Sequence, residues 1–66
     1  MTTYSVYFND SENRGSFAID AIATTVDGDW TSSTDNSALL TVDQENEEYT
    51  EEVLNDDERV KSYRKH

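Results

Sequence analysis

Nine of the sixteen residues from Asp43 to Glu58 are acidic and none is basic. Like charges one helical turn apart repel by a few tenths of a kcal/mol per pair, so such a segment folds at a cost. Either a partner outside the fold uses this charge or an unusual solvent demands it. The run is broken by Tyr49 and Val53. At about 100° per residue, Tyr49, Val53, Val60 and Tyr63 fall within one stripe, which predicts a helix over residues 44–64. Asp56 falls in the same stripe and marks a point, Asn55-Asp56, where the helix can kink or break. Thr41-Val-Asp-Gln44 fits a capping box, with Asp43 as an alternative N-cap. Glu47–Glu51 and Glu48–Glu52 are like-charge pairs at i,i+4, and Asp57–Lys61 is an opposite pair. The acids lead and the bases trail, which suits the helix dipole.

Ahead of this segment the pattern changes period. Tyr4, Val6 and Phe8 alternate with Ser5 and Tyr7, and predict a strand over residues 2–8. Residues 9–15 carry turn chemistry. Residues 16–25 read as a second strand, with Phe17, Ile19 and Ala21 toward the core and Asp20 toward water. The rival reading there is a helix, because of the three alanines. Residues 26–37 read as a polar turn or loop containing Asp27-Gly28-Asp29, with Trp30 inside it. Residues 38–42 form a short third strand or the lead-in to the helix. The expected fold is α+β: a small antiparallel sheet of two or three strands with one C-terminal helix packed on it, in a single domain spanning 1–66. Tyr4, Val6, Phe8, Phe17, Ile19, Val53 and Val60 are the expected core. Trp30 is weighed as core or as an exposed anchor, and the scarcity of apolar residues favours core.

A 66-residue chain is one small domain of modest stability. It has no cysteine, hence no disulfide framework and no thiolate metal site, which is compatible with a reducing compartment. No basic start is followed by an apolar run, and no apolar stretch approaches the length of a membrane span, so the expected location is the cytoplasm. The net charge is -10. Residues 1–42 contribute -5, residues 43–58 contribute -9 and residues 59–66 contribute +4. A field of this sign excludes direct binding to nucleic acid or to an anionic membrane and favours a basic partner.

Chemistry other than charge has little to stand on. An EF-hand loop opening at Asp27 or Asp29 places Ala38 or Leu40 where a glutamate is required, so no metal is expected. His66 is the only histidine and is expected to fray. No nucleophile–base arrangement is apparent, so neither catalytic residues nor a cofactor is expected, and the chain reads as non-enzymatic. The acids remain. On a helix Glu47, Glu51 and Glu58 fall together opposite the apolar stripe, with Glu48 and Glu52 on its flank. An i,i+4 step advances about 6 Å, of the same order as the roughly 3.4 Å between phosphates of a DNA strand. The expected partner-binding residues are therefore Glu47, Glu48, Glu51, Glu52 and Glu58, helped by Asp27 and Asp29. The bland alternative is a solvated helix face. A second alternative is adaptation to concentrated salt, which fits two lysines in 66 residues. A third is an antitoxin-like partner of a basic protein.

In length, lack of cysteine, net charge and the acid run Asp43–Glu58 beside a two-strand start, the chain resembles the small acidic phage proteins that disarm bacterial nucleic-acid-targeting machinery: anti-CRISPR proteins and other DNA mimics. The resemblance implies an inhibitor that occupies the basic surface of a host defence protein in the bacterial cytoplasm. The DNA (PAM)-recognition subunit of a type I CRISPR complex is the first expectation. The basic stretch Arg59 to Lys65 departs from a uniformly acidic surface.

Overall fold

In the computed structural model, which describes residues 1–9, 15–34 and 36–66, alternation and helical periodicity take turns along the chain. The order is β1 (Thr2–Phe8), α1 (Gly15–Val26), β2 (Asp29–Thr34), β3 (Ser37–Val42), a 3-10 turn (Gln44–Asn46), α2 (Glu47–Asp56) and β4 (Val60–Lys65). The strands form one sheet in the order β2-β3-β1-β4, with every neighbouring pair antiparallel. This βαββαβ order, with each crossover spanning an intervening strand, is the split β-α-β arrangement of ferredoxin-like domains. The fold is α+β, with four strands and two helices where the sequence predicted two or three strands and one helix.

The core lies on one face of the sheet. Tyr4, Val6 and Phe8 of β1 and Ala38, Leu40 and Val42 of β3 are buried there, together with Ala18, Ile19, Ile22, Ala23 and Val26 of α1 and Leu54 of α2. In register Tyr4 faces Leu40 and Val6 faces Ala38, so the inward rows of the two central strands coincide. The opposite face carries Thr3, Ser5, Tyr7, Leu39, Thr41, Ser62 and Arg64. It is partly or fully exposed, as one face of an antiparallel sheet often is.

Residues 16–25 are a helix, not a strand. The buried set Ala18, Ile19, Ile22, Ala23 and Val26 recurs at three- and four-residue intervals, the period of a helix face. The alternating reading shares only Ile19 with it: Phe17 is 78% exposed and Ala21 is exposed. Thr24 and Thr25 donate their hydroxyls to the carbonyls of Asp20 and Ala21 one turn back. The helix closes with Asp27 in the left-handed region (φ 56) and the Gly28 N–H donating to the Ala23 carbonyl at 2.8 Å, a Schellman closure. Gly28 is required for a different reason. A Cβ there would stand 2.7 Å from both the Thr41 carbonyl oxygen and Val42 Cγ1, so β3 can pass close only to a glycine.

The polar stretch expected to be a loop contains β2, an edge strand whose Trp30 pairs with Leu40. Trp30 is partly buried against the core, as the preferred reading had it. Asp35 and the centre of the predicted turn, residues 10–14, lie outside the described residues.

The predicted 44–64 helix is three elements: the 3-10 turn, α2 and β4. The helix stops at Asp56, where the break was anticipated, and Asp57 is extended (φ -82, ψ 118). The last residues then form β4 beside β1. Val60 and Tyr63 are three apart, which suits a helix and would place them on opposite faces of a regular strand. A bulge resolves this: Tyr7 pairs with Ser62 and Phe8 with Val60, skipping Lys61. The extra residue returns Val60 and Tyr63 to one side. Tyr63 meets Tyr4 edge-on, with ring centroids 6.0 Å apart. His66 does not fray: its N–H donates to the Thr3 carbonyl at 2.9 Å. Among the described residues no helix is long and apolar enough to cross a membrane.

Two substitutions test this packing. Leu54→Ala removes the only buried apolar side chain that α2 contributes and should cost about 2–4 kcal/mol in urea denaturation. Gly28→Ala should also destabilise, by about 1–3 kcal/mol, because backbone of β3 and not a flexible side-chain tip stands in the way.

Candidate partner-binding surface

The rotation of α2 about its own axis decides which carboxylates are available. Thr50 and Leu54 are its innermost residues, at 0% and 1% exposure. They lie one residue beyond Tyr49 and Val53, the pair that the apolar pattern had turned inward. The helix is therefore rotated by about 100° from that expectation. Tyr49 is half exposed, and Val53 only borders the core. The side toward the sheet is Glu47-Thr50-Glu51-Leu54, spaced i, i+3, i+4 and i+7, with two acids in it.

Both acids are engaged. The buried Tyr4 ring carries its hydroxyl to Glu51, donating to Oε2 at 2.9 Å, and the hydroxyl also lies 3.4 Å from the Glu47 carbonyl. Glu47 accepts from the Thr2 hydroxyl at 2.8 Å and from Lys65 Nζ at 2.9 Å. The Lys65 ammonium, and then the Thr2 hydroxyl, hold the Glu47 carboxyl below its usual range, and Glu47 in turn raises Lys65. Burial, followed by the Glu51 hydrogen bond and charge, pushes the Tyr4 phenol well above its usual value, so it remains a donor. The Thr50 hydroxyl is buried without a partner among the described residues.

Four expectations are corrected by this geometry. Glu47 and Glu51 do not stand in an outward row, because the sheet side of α2 holds them. Glu58 is not on the helix at all: it lies in the turn to β4, where its carbonyl accepts from the Asn9 amide at 3.0 Å. Asp57 pairs with Arg59, not with Lys61, because the chain has left the helix. Arg59 Nε and a terminal guanidinium nitrogen reach the two carboxylate oxygens at 3.0 and 2.8 Å. That fork lowers Asp57 and raises Arg59. The capping box does not form either. Asp43 starts the 3-10 turn without a side-chain cap, and the Asn46 amide instead donates to the Val26 carbonyl at 3.2 Å, tying the start of α2 to the end of α1.

The outward side of α2 consists of Tyr49, Glu52 and Asp56, with Glu48 beside them; all four are exposed. Among the described residues these three carboxylates have no ion pair or hydrogen bond. Asp56 was not among the expected contacts; the rotation of the helix brings it in. The other predicted pair, Asp27 and Asp29, lies on the α1–β2 side with Asp20 and Trp30, around a concavity of about 460 Å³. The Trp30 indole N–H donates to Asp20 at 3.3 Å. Among the described residues no group of three His, Cys, Asp or Glu side chains is arranged to hold a metal ion. On the open sheet face Ser5 Oγ meets His66 Nε2. Both groups are solvent-accessible, and the contact pins the end of the chain to β1.

Comparison with family models, with curated proteins and with solved structures gave no match.

Two outcomes follow from the Tyr4, Glu47 and Lys65 contacts. Tyr4→Phe should cost about 1.5–3 kcal/mol, the net value of one hydrogen bond to a carboxylate. Glu47→Gln should lower the melting temperature at pH 7. Because the folded Glu47 carboxyl is depressed, its contribution is present above the unfolded value of about 4.3 and is lost as pH falls through the folded one. The difference between wild type and Glu47→Gln should thus shrink steadily below about pH 4.

Proposed function

We propose that the protein is a non-enzymatic inhibitor that binds the basic nucleic-acid-binding surface of a host defence protein and blocks target DNA binding by charge mimicry. The observation that carries this reading is the division of labour among the acids. Glu47, Glu51 and Asp57 have partners inside the fold. Glu48, Glu52 and Asp56 project from one helix at spacings of four residues, with no such partner among the described residues. A row of carboxylates about 6 Å apart on a rigid element offers a groove lined with arginine and lysine a substitute for phosphates. Asp20, Asp27 and Asp29 extend the negative field on the α1–β2 side. The described basic residues, Arg59, Lys61, Arg64 and Lys65, sit apart, on β4 and the turn before it, and two of them, Arg59 and Lys65, are neutralised in place. The docking side is accordingly the helix layer and not the β4 edge. From the resemblance in size and charge, the target is the DNA (PAM)-recognition subunit of a type I CRISPR complex.

The test is a gel-shift assay of target duplex binding by such a complex, with increasing amounts of the protein. Inhibition should be complete at low salt and should weaken as salt rises. Glu48→Gln/Glu52→Gln/Asp56→Asn should raise the concentration needed by roughly tenfold, the combined effect of three exposed charge pairs. Full DNA binding at saturating protein would remove this target. Circular dichroism of the protein without added salt separates mimicry, which requires a folded domain there, from adaptation to concentrated salt, which predicts unfolding.

A further inference from the structure

Phe17 and Tyr49 are the two large apolar side chains that the helices leave outside, at 78% and 48% exposure. Each is one residue from a buried position, Ala18 and Thr50. In a chain that is only 33% hydrophobic, neither joins the core. Acidity for solvation gives no reason to expose a phenylalanine. Both helices pack on the same face of the sheet, so their outward sides form one surface. They run antiparallel, with the end of α1 tied to the start of α2 by Asn46 and Val26. With about 1.5 Å per residue along each helix and about 8–10 Å between axes, positions 17 and 49 stand roughly 13 Å apart on the two axes. Exposed carboxylates neighbour both in sequence: Asp20 one turn after Phe17, and Glu48 and Glu52 around Tyr49.

We infer that Phe17 and Tyr49 are the specificity-determining anchors of the acidic helix surface, and that the partner it fits presents arginines and not merely positive charge. This rests on the reading of that surface as a docking site for a basic protein. The chemistry is a matter of pairing. A guanidinium is planar and weakly hydrated, and can stack on an aromatic face while its edge meets a carboxylate. An ammonium is compact and strongly hydrated, and gains mainly from the carboxylate. Carboxylates alone favour arginine only slightly, through its forked hydrogen bonds. Aromatic rings interleaved with carboxylates favour arginine, and they add a contribution that salt does not screen.

The experiment uses the full chain and two probes of equal length and charge, an oligo-arginine and an oligo-lysine peptide, with affinities measured across a salt series. The wild type should prefer the arginine peptide by roughly fivefold, from two cation–π contacts. Phe17→Ala/Tyr49→Ala should reduce that preference to less than about twofold while leaving the salt dependence unchanged. Glu48→Gln/Glu52→Gln/Asp56→Asn should flatten the salt dependence and keep the preference. Equal affinity of the wild type for the two peptides, or a preference that survives in the double variant, overturns the anchors but leaves the acidic docking surface standing. Failure of both peptides to bind overturns the docking surface and the anchors with it. Phe17→Ala alone is the control on folding. Its melting temperature should stay within about 2 °C of wild type, as for a surface substitution, and a large drop would make Phe17 a packing residue and overturn its role.

Discussion

The Tyr4 hydroxyl fixes the rotation of α2, and that rotation determines which carboxylates remain outside. Tyr4 is wholly buried in the central strand β1, yet its phenol reaches Glu51. One turn earlier Glu47 is held from two sides, by Thr2 of the same strand and Lys65 of the edge strand β4. A helix held only by one leucine and one threonine could roll. A helix held also by two carboxylates at i,i+4 cannot do so without breaking hydrogen bonds to β1. The same contacts bind β4 into the fold, since Lys65 and Tyr63 lie against Glu47 and Tyr4.

The fold was legible where one physical signal dominated. In β1 Tyr4, Val6 and Phe8 share one parity, with Ser5 and Tyr7 on the other, and the strand lies over Thr2–Phe8 as expected. The α+β class and the end of α2 near Asp56 were also within reach. Elsewhere two signals competed. In residues 16–25 the β-branched residues argued for a strand and the alanines for a helix. Ala18 and Ala23 are buried with Ile19, Ile22 and Val26 on one helical face, a tertiary requirement that residue-by-residue propensity does not contain. The edge strand β2, apart from Trp30, is written in Asp, Ser and Thr and reads by composition as a loop. Half of an edge strand faces water, so its polarity is no argument against it. The bulge at Lys61 disguised β4 as a continuation of the helix.

The candidate surface was legible as a segment and not as a face. The excess of acid over residues 43–58 located it. Its orientation depended on Thr50 being buried and Tyr49 not, a choice that hydrophobicity alone reverses. Glu47 and Glu51 thereby moved from the list of contacts to the frame of the fold, and Asp56 took their place. What remains outside is a row, Glu48, Glu52 and Asp56, that has no hydrogen bond or ion pair among the described residues. Glu52 has like charges one turn away on both sides, and Asp56 sits at the carbonyl end of the helix, where negative charge is unfavourable.

That last point gives the most direct test of the claim that the acids are divided between fold and partner. Urea denaturation at low salt should be compared for wild type, Glu47→Gln/Glu51→Gln and Glu52→Gln/Asp56→Asn. The inward pair should lower the midpoint, and the outward pair should raise it by relieving repulsion. If the outward pair instead destabilises the domain as the inward pair does, those carboxylates belong to the fold, and the division on which this account rests is wrong.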